Sequence, residues 1–497
     1  MVDSAPGVLL PDDVAVVNVG LGLFAAAVAA QGRPVIGVDW RIPAGGRTDV
    51  VAALRRLWGP HAERVAGANA EVLRRLDQSS PMLTGIGTAG EVVPGMGDRS
   101  LLHCGPPITY DRACDPLRRS MRAAVVAEGW ARDLEQAERT LRTGDVVLEP
   151  ANLHDTVVPM VTALGPSQPV LVVEDGLGGT RAFAPINQGP GKTAWFGMET
   201  PDAIDRLRLL RDVIGPMLGE VLERSGPVDV FSLAAQAIQM GDDVHIRTQA
   251  STNLLIRTLL PYLVAVEDKR RVELATFLSQ NHLFFLNLAM AAARAATGWA
   301  MQVEGSSIVT TMSRNGTDFG IKLAGNDPWT LAPAPPVGEA LYYAGFGPQT
   351  SANDVGDSAV LELIGLGGPA AGSSPSVAAF VGGTMADAVA TTEDMDRICA
   401  GRSSRFKLAL LDFRGTPIGV DVRKVVELGA TPKVTTGILH VDAGTGQVGA
   451  GVAAAPLACF VDALMDLDRR LGAGAPGSPG PGVGASPAVG PNGPAPA

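Results

Sequence analysis

Cysteine is scarce in this sequence. The four present in 497 residues, Cys104, Cys114, Cys399 and Cys459, show no C-x-x-C spacing, which argues against a zinc ribbon or a dithiol redox motif. A chain this long needs no disulfide framework, so reduced thiols are expected. Charge is scarce too: only 18% of residues are Asp, Glu, Lys or Arg, and the net charge is −11. Phosphate-backbone binding needs concentrated Lys and Arg, so no nucleic-acid partner is expected. No apolar run is long enough to span a bilayer, because the longest, residues 19–30, is short and contains Gly20 and Gly22. The opening MVDSAPGVLLPDD is acidic where a secretory signal is basic. These absences give the expectation of a soluble, cytoplasmic protein with no membrane contact. A phosphate-binding P-loop is missing as well: Gly189-Pro190-Gly191-Lys192 has no glycine five residues before Gly191.

What is present is apolar, at 46% hydrophobic residues. At about 150 residues per domain, the length suggests roughly three domains. Residues 14–19, VAVVNV, form a β-branched run of the kind found in a strand buried on both faces. Gly20-Leu21-Gly22, an Ala-rich helix over 24–30, a turn at Gly32 and a strand over 34–38 ending in Asp39 complete a βαβ unit. Its glycine fingerprint lacks the third glycine, so as a dinucleotide signal it is poor.

Strands then alternate with helices as far as residue 175, which predicts a mostly parallel, doubly wound sheet. Residues 181–192 read as a Gly/Pro-rich loop. A helix starts at Thr200, the N-cap, with Pro201 in the first turn. Helical periodicity continues to about 300, and the apolar stretch from Asn281 to about 296 is expected at the centre of a core. From 301 the texture changes to Gly-rich strands and turns, closed by a helix over 456–471. Residues 472–497 hold 15 Gly and Pro among 26 and no charge, so they cannot build a packed core.

The expected fold is therefore α/β. It comprises an N-terminal Rossmann-like doubly wound domain with helical insertions (1–199), a central helical region (200–300), a C-terminal mixed α/β domain (301–471) and an unstructured tail (472–497).

Three groups of residues can carry chemistry. The stretch 304–325, EGSSIVTTMSRNGTDFGIKLAG, reads as a hairpin turning on Asn315-Gly316. It crowds Arg314, Asn315 and Thr317 onto one turn, which can hold an oxyanion or be a solvated tip. Arg414, Thr416, Arg423 and Lys424 form a second donor cluster, with a structural ion-pair network around Asp421 as the alternative. His245, flanked by Asp242, Asp243 and Arg247, is the best acid/base group, since imidazole titrates near neutrality and a carboxylate can orient it. The alternative is that the aspartates cap helices. His154-Asp155 after a strand end is a further candidate, and His282 is expected in the core. No grouping has metal-ligand spacing, so neither a metal nor a cofactor is expected.

Several distinctive segments occur together in one order: VVNVGLGLFAAAVAAQG with VDWRIPAGG, LLHCGPPITY, RAFAPINQGPGK, AQAIQMGDDVHIR, FFLNLAMAAAR, GSSIVTTMSRNGTDFGI, LDFRGTPIGVDVRKVVE and GTGQVGAG. Over about residues 14–470 the chain resembles the YlbE/AllG-type family, associated with FdrA and with oxamate carbamoyltransferase. That resemblance implies carbamoyl transfer between an oxalurate-type ureido acid and phosphate, giving carbamoyl phosphate and oxamate. It also implies an FdrA-like partner subunit, with room for a third subunit or for self-association.

The chain departs from the family pattern in two places. Ile246 and Thr248 flank Arg247 where the family carries Asn, and Asn281-His282-Leu283 stands where it reads Asn-Asp-His. The Ser-Thr-Arg-Thr loop of ordinary carbamoyltransferases is also absent. Two other functions compete with the transferase: a non-catalytic ligand-binding or assembly subunit, and a nucleotide- or CoA-linked enzyme using the N-terminal βαβ unit.

Overall fold

The structure, a computed structural model, describes residues 16–38, 42–326 and 328–473. The expected tail lies outside the described residues from 474 onward, as does Asp39.

The architecture is mixed α/β, but its strands are spread over several small sheets. Val16–Val19 and Val35–Val38 form a parallel pair joined by the helix Gly22–Ala29, which is the βαβ unit read from the sequence. A second parallel pair joins Ser100–His103 to Val147–Pro150. The larger sheets are antiparallel. Arg181–Pro185, Pro169–Asp175, Pro81–Thr88 and Val228–Asp229 lie side by side in that order.

The single doubly wound parallel sheet is thus not the arrangement found, and the turn after Asp175 explains part of this. The Asp175 carboxylate accepts the N–H groups of Leu177 and Gly178 at 2.8 and 2.9 Å, and Gly179 takes φ +64°. The chain therefore reverses at once and Arg181–Pro185 returns beside the preceding strand. Residues 181–185, expected in a loop, are strand for this reason.

Seven helical segments from Pro201–Leu209 to Phe284–Ala300 fill the central region, as the periodicity predicts. Thr200 caps the first of them by accepting the Ala203 N–H at 3.4 Å. Phe284–Ala300 is the hub. Nearly every one of its side chains is buried, from Phe284 to Thr297 without interruption, which fits a helix apolar on all faces.

Two apolar cores cross the boundaries drawn from the sequence. The larger runs from Val72 to Leu439. The second joins Val50, Leu54 and Leu57, on the helix Thr48–Trp58, to Phe460 and Leu464 on the closing helix Leu457–Ala473. Early and late parts of the chain are therefore folded against each other. No helix among the described residues is long and apolar enough to cross a membrane.

Candidate functional site

The hairpin Val309–Asn315 and Asp318–Leu323 turns on Gly316 at φ +82°, as Asn-Gly demands. Its tip is not solvated. Arg314 is 0% exposed and fully engaged: Nε and Nη2 donate to Asp354 at 2.8 and 2.9 Å, and Nη1 donates to the Gly356 carbonyl at 2.6 Å. Longer contacts reach the Thr436 and Ser358 hydroxyls. Asn315 donates to the Pro106 carbonyl and accepts the N–H groups of Thr317 and Asp318, while the Thr317 hydroxyl donates to the Arg112 carbonyl. Gly105, at φ +82°, allows this approach, since a side chain there would collide with Arg314 and Asn315.

The second cluster is also internally paired. Arg423 clamps Asp421 with Nη2–Oδ2 at 2.7 Å, and its guanidinium lies 3.8 Å from the centre of the Trp58 ring. Lys424 donates to the Cys399 carbonyl at 2.5 Å. Arg414 comes no nearer than 3.8 Å to Glu393, and the Thr416 hydroxyl is buried without a partner. Asp421 therefore pairs with Arg423 and not with Arg414. Among the described residues no hydrogen bond or ion pair joins this cluster to Arg314. His154 Nδ1 lies 2.8 Å from the Pro94 carbonyl, with Glu149 3.5 Å from Nε2.

A concavity that takes in one of the candidate groups lies elsewhere. A cavity of about 480 Å3 is lined in part by His245, His282, Ser358, Thr445 and Gln447. Neither Arg314, Arg414, Arg423, Lys424 nor His154 lines it.

His245 sits in the connection between the helices Val230–Gln239 and Gln249–Ala265, and both neighbouring aspartates shape that connection. Asp242 accepts the N–H groups of Ala250 and Ser251 at 3.1 and 2.8 Å, which caps the second helix as the alternative proposed. Asp243 accepts the N–H groups of His245, Ile246 and Arg247 at 3.3, 3.3 and 2.8 Å. Burial raises both carboxyls above their ordinary value against these donors. Arg247 leans on Asp242 at 3.6 Å and on the Gly241 carbonyl at 3.3 Å. Val244 is held at φ +61°, an uncommon conformation for a β-branched residue, beside His245. Met160, on the cavity wall, is held at φ +49°.

The orienting acid of His245 is a residue the sequence did not single out. Glu362, 0% exposed, places Oε1 2.7 Å from His245 Nδ1. The same oxygen is approached by the N–H groups of Gly368 and Thr435, both at 3.3 Å. Gly367, at φ +64°, lets the backbone pass, because a side chain there would strike both Glu362 and the imidazole. With Nδ1 committed to the carboxylate, Nε2 is the nitrogen left for the cavity. The available signal was weak: one acid inside the apolar run AVLELIGLGG, ahead of clustered glycines.

His282 is not in the core. It is exposed on the cavity rim, just before the hub helix, and partial burial lowers its pKa and favours the neutral ring. The hub helix also holds the 181–192 segment in place: Asn287 donates to the Pro185 carbonyl at 2.7 Å and accepts from Asn187 at 2.9 Å. That brings Pro190 and Gly191 to the rim. The cysteines offer no nucleophile, since burial raises all four thiols, Cys114 to about 11 and Cys459 to about 12. No grouping of His, Cys, Asp and Glu among the described residues could hold a metal ion.

Residues 146–358, which carry His245, His282, Ser358 and the Arg314 hairpin, match the family described as oxamate carbamoyltransferase subunit AllG. The chain is 39% identical to the oxamate carbamoyltransferase subunit AllG of Escherichia coli strain K12 over 416 residues, 82% of this chain and 99% of that protein. It is 36% identical to the uncharacterized protein YahG of the same strain over 463 residues, 92% of this chain and 98% of that protein. Its fold is similar to the crystal structure of a conserved protein of unknown function from Enterococcus faecalis V583. That comparison gives a TM-score of 0.80 at 36% identity and covers 82% of this chain and 98% of the other. On likeness of this extent, the chain belongs to the AllG family.

Proposed function

We propose that this chain is the subunit of a carbamoyltransferase complex in which a carbamoyl group passes between an oxalurate-type ureido acid and phosphate, with the cavity beside His245 as the site. The observation that carries this is the buried His245–Glu362 pair at 2.7 Å, on the wall of a cavity, in a chain of the AllG family.

In phosphorolysis a phosphate oxygen attacks the carbamoyl carbon. The carbon–nitrogen bond to the oxamoyl group breaks, and the departing nitrogen takes a proton. His245 takes the proton of the attacking phosphate on Nε2 and returns it to that nitrogen, while Glu362 holds the ring and stabilises the transient imidazolium. Ser358 offers a hydroxyl to the carbonyl oxygen as it gains charge.

None of the described residues lining the cavity is Lys or Arg. The phosphate-binding cation therefore comes from an FdrA-like partner, and the chain alone is inactive. The same observation favours a second function, a ligand-binding subunit whose partner performs the chemistry.

One assay separates the two. The chain is combined with the FdrA-like subunit, oxalurate and phosphate, and carbamoyl phosphate is measured. Activity that needs both proteins and is lost in His245→Asn supports transfer at this cavity. Full activity in folded His245→Asn moves the chemistry to the partner, and no carbamoyl phosphate under any combination ends the transferase assignment.

A further inference from the structure

We propose that the phosphate of this reaction is cradled by the backbone of residues 443–446, whose free N–H groups are the oxyanion-binding element on this chain's side of the cavity. This rests on the cavity being the carbamoyl-transfer site. Thr445 and Gly446 line that cavity together with His245 and Ser358.

The loop joins the strands Lys433–Leu439 and Gln447–Ala454, and its backbone donors can be followed one by one. The His440 N–H donates to the Gly446 carbonyl at 3.0 Å, and the Val441 N–H to the Thr350 carbonyl at 2.9 Å. The N–H groups of Asp442 and Ala443 both donate to His440 Nδ1, at 3.3 and 3.0 Å. Arg119, itself paired with Asp115 and Glu199, fixes the loop from outside by donating to the Asp442 carbonyl at 2.8 Å. The next three N–H groups, those of Gly444, Thr445 and Gly446, meet no acceptor among the described residues. Gly446 is buried, and a buried backbone N–H without a partner is rare enough to require a reason.

The conformation of the loop supplies one. φ is +61° at Gly444 and +94° at Gly446, but it is not positive at Ala443 or Thr445. Alternation of this kind turns successive N–H groups toward one point and makes a nest for an anion. Neutral donors fixed in advance suit a wall whose described residues include no Lys or Arg: they hold phosphate oxygens while the partner's cation balances the charge. No Asp or Glu among the described lining residues repels the anion.

Gly444→Ala and Gly446→Ala test this, because each disfavours the left-handed residue the nest needs and leaves every other side chain of the cavity in place. Gly429→Ala is the control for backbone strain: Gly429 takes φ +62°, has open space where a side chain would go and does not line the cavity. In the assembled complex, KM for phosphate is expected to rise at least about tenfold in both nest variants, with KM for oxalurate within about twofold and the control near the parent. Calorimetry with inorganic phosphate alone, on the same complexes, is expected to show a matching loss of affinity. Phosphate affinity unchanged in nest variants of unchanged melting transition overturns the proposal and leaves the transfer assignment intact. So does an equal loss in Gly429→Ala, or a rise confined to KM for oxalurate, which would give the nest to the carboxylate. A parent complex that binds no phosphate overturns it too. Phosphate binding that is lost in the nest variants of a complex making no carbamoyl phosphate keeps the nest and ends the transfer assignment instead.

Discussion

Arg314 with Asp354 and His245 with Glu362 are both buried pairs of a base and an acid, held at 2.8 and 2.7 Å. Every N–H direction of the guanidinium meets an acceptor, and both partners are 0% exposed. The imidazole is committed on one nitrogen only and lines a cavity with the rest of its ring. A sealed pair has no atom left for a ligand and serves the fold, whereas a pair with one free atom facing a concavity is equipped for proton transfer. Residue type does not separate the two; the number of unused bonding directions does.

The comparison breaks first at Arg314. Removing one partner of a sealed pair strands a buried charge, so Arg314→Met is expected to cost about 3–5 kcal/mol in chemical denaturation. Arg314→Met combined with Asp354→Leu should recover part of that loss. A single variant as stable as the parent would show that the pair is not structural.

At the open pair the larger loss is in rate. His245→Asn in the assembled complex should lower turnover on the order of 10²-fold or more, the usual contribution of a positioned acid/base. Its melting transition should move far less than that of Arg314→Met. Equal losses of stability in the two variants would erase the distinction between them.

The sequence made the sealed pair look like the site. Asn-Gly announces a hairpin, and Arg-Asn-x-Thr beside it displays donors, but nothing local reveals that the Pro106 carbonyl and Asp354 arrive from elsewhere to accept them. The open pair was half legible. His245 was singled out from its own neighbours, and the helix-capping role of Asp242 was weighed beside it. Glu362 stands 117 positions away, and only the tertiary fold joins the two. The hub helix was readable because its apolar residues are contiguous. Sheet direction was not, since strand spacing fixes neither pairing partners nor the tight turn after Asp175.

Asp357 sharpens the comparison from beside the sealed pair. Its carboxylate accepts the N–H groups of Gly105 and Val158, both at 2.9 Å, and the Ser313 hydroxyl, yet burial still pushes its pKa from 3.8 up to about 6. The folded state therefore binds more protons than the unfolded state between those values, and stability falls as pH rises through that window, by about 3 kcal/mol. Denaturation midpoints of Asp357→Asn should lie lower at every pH, because an amide cannot accept all three donors. They should also lack that slope. An identical slope in parent and variant would place the titration on another group.

Glu362→Gln gives a smaller and more specific effect. The amide oxygen can still accept from His245 Nδ1, so the ring stays in place, but the charge that stabilises the imidazolium is gone. Turnover is expected to fall about tenfold with little change in KM, since the substitution removes support for the transition state and not for the bound substrate. A change in KM alone would make Glu362 part of the binding surface.

The smallest effect is expected at Arg414, a cation that belongs to neither pair. It is partly exposed, its nearest acid is Glu393 at 3.8 Å, and one of its N–H groups is buried with no acceptor, so truncation removes an unsatisfied donor along with a weak ion pair. Exposed pairs of this kind contribute about 0–1 kcal/mol. Arg414→Ala should therefore stay within about 0.5 kcal/mol of the parent in stability and within about twofold in turnover. A tenfold loss of turnover in a variant of unchanged stability would mean that the hairpin Cys399–Leu408 and Arg414–Val420 supplies a cation to the reaction once the partner subunit is docked. The missing phosphate-binding charge would then lie on this chain.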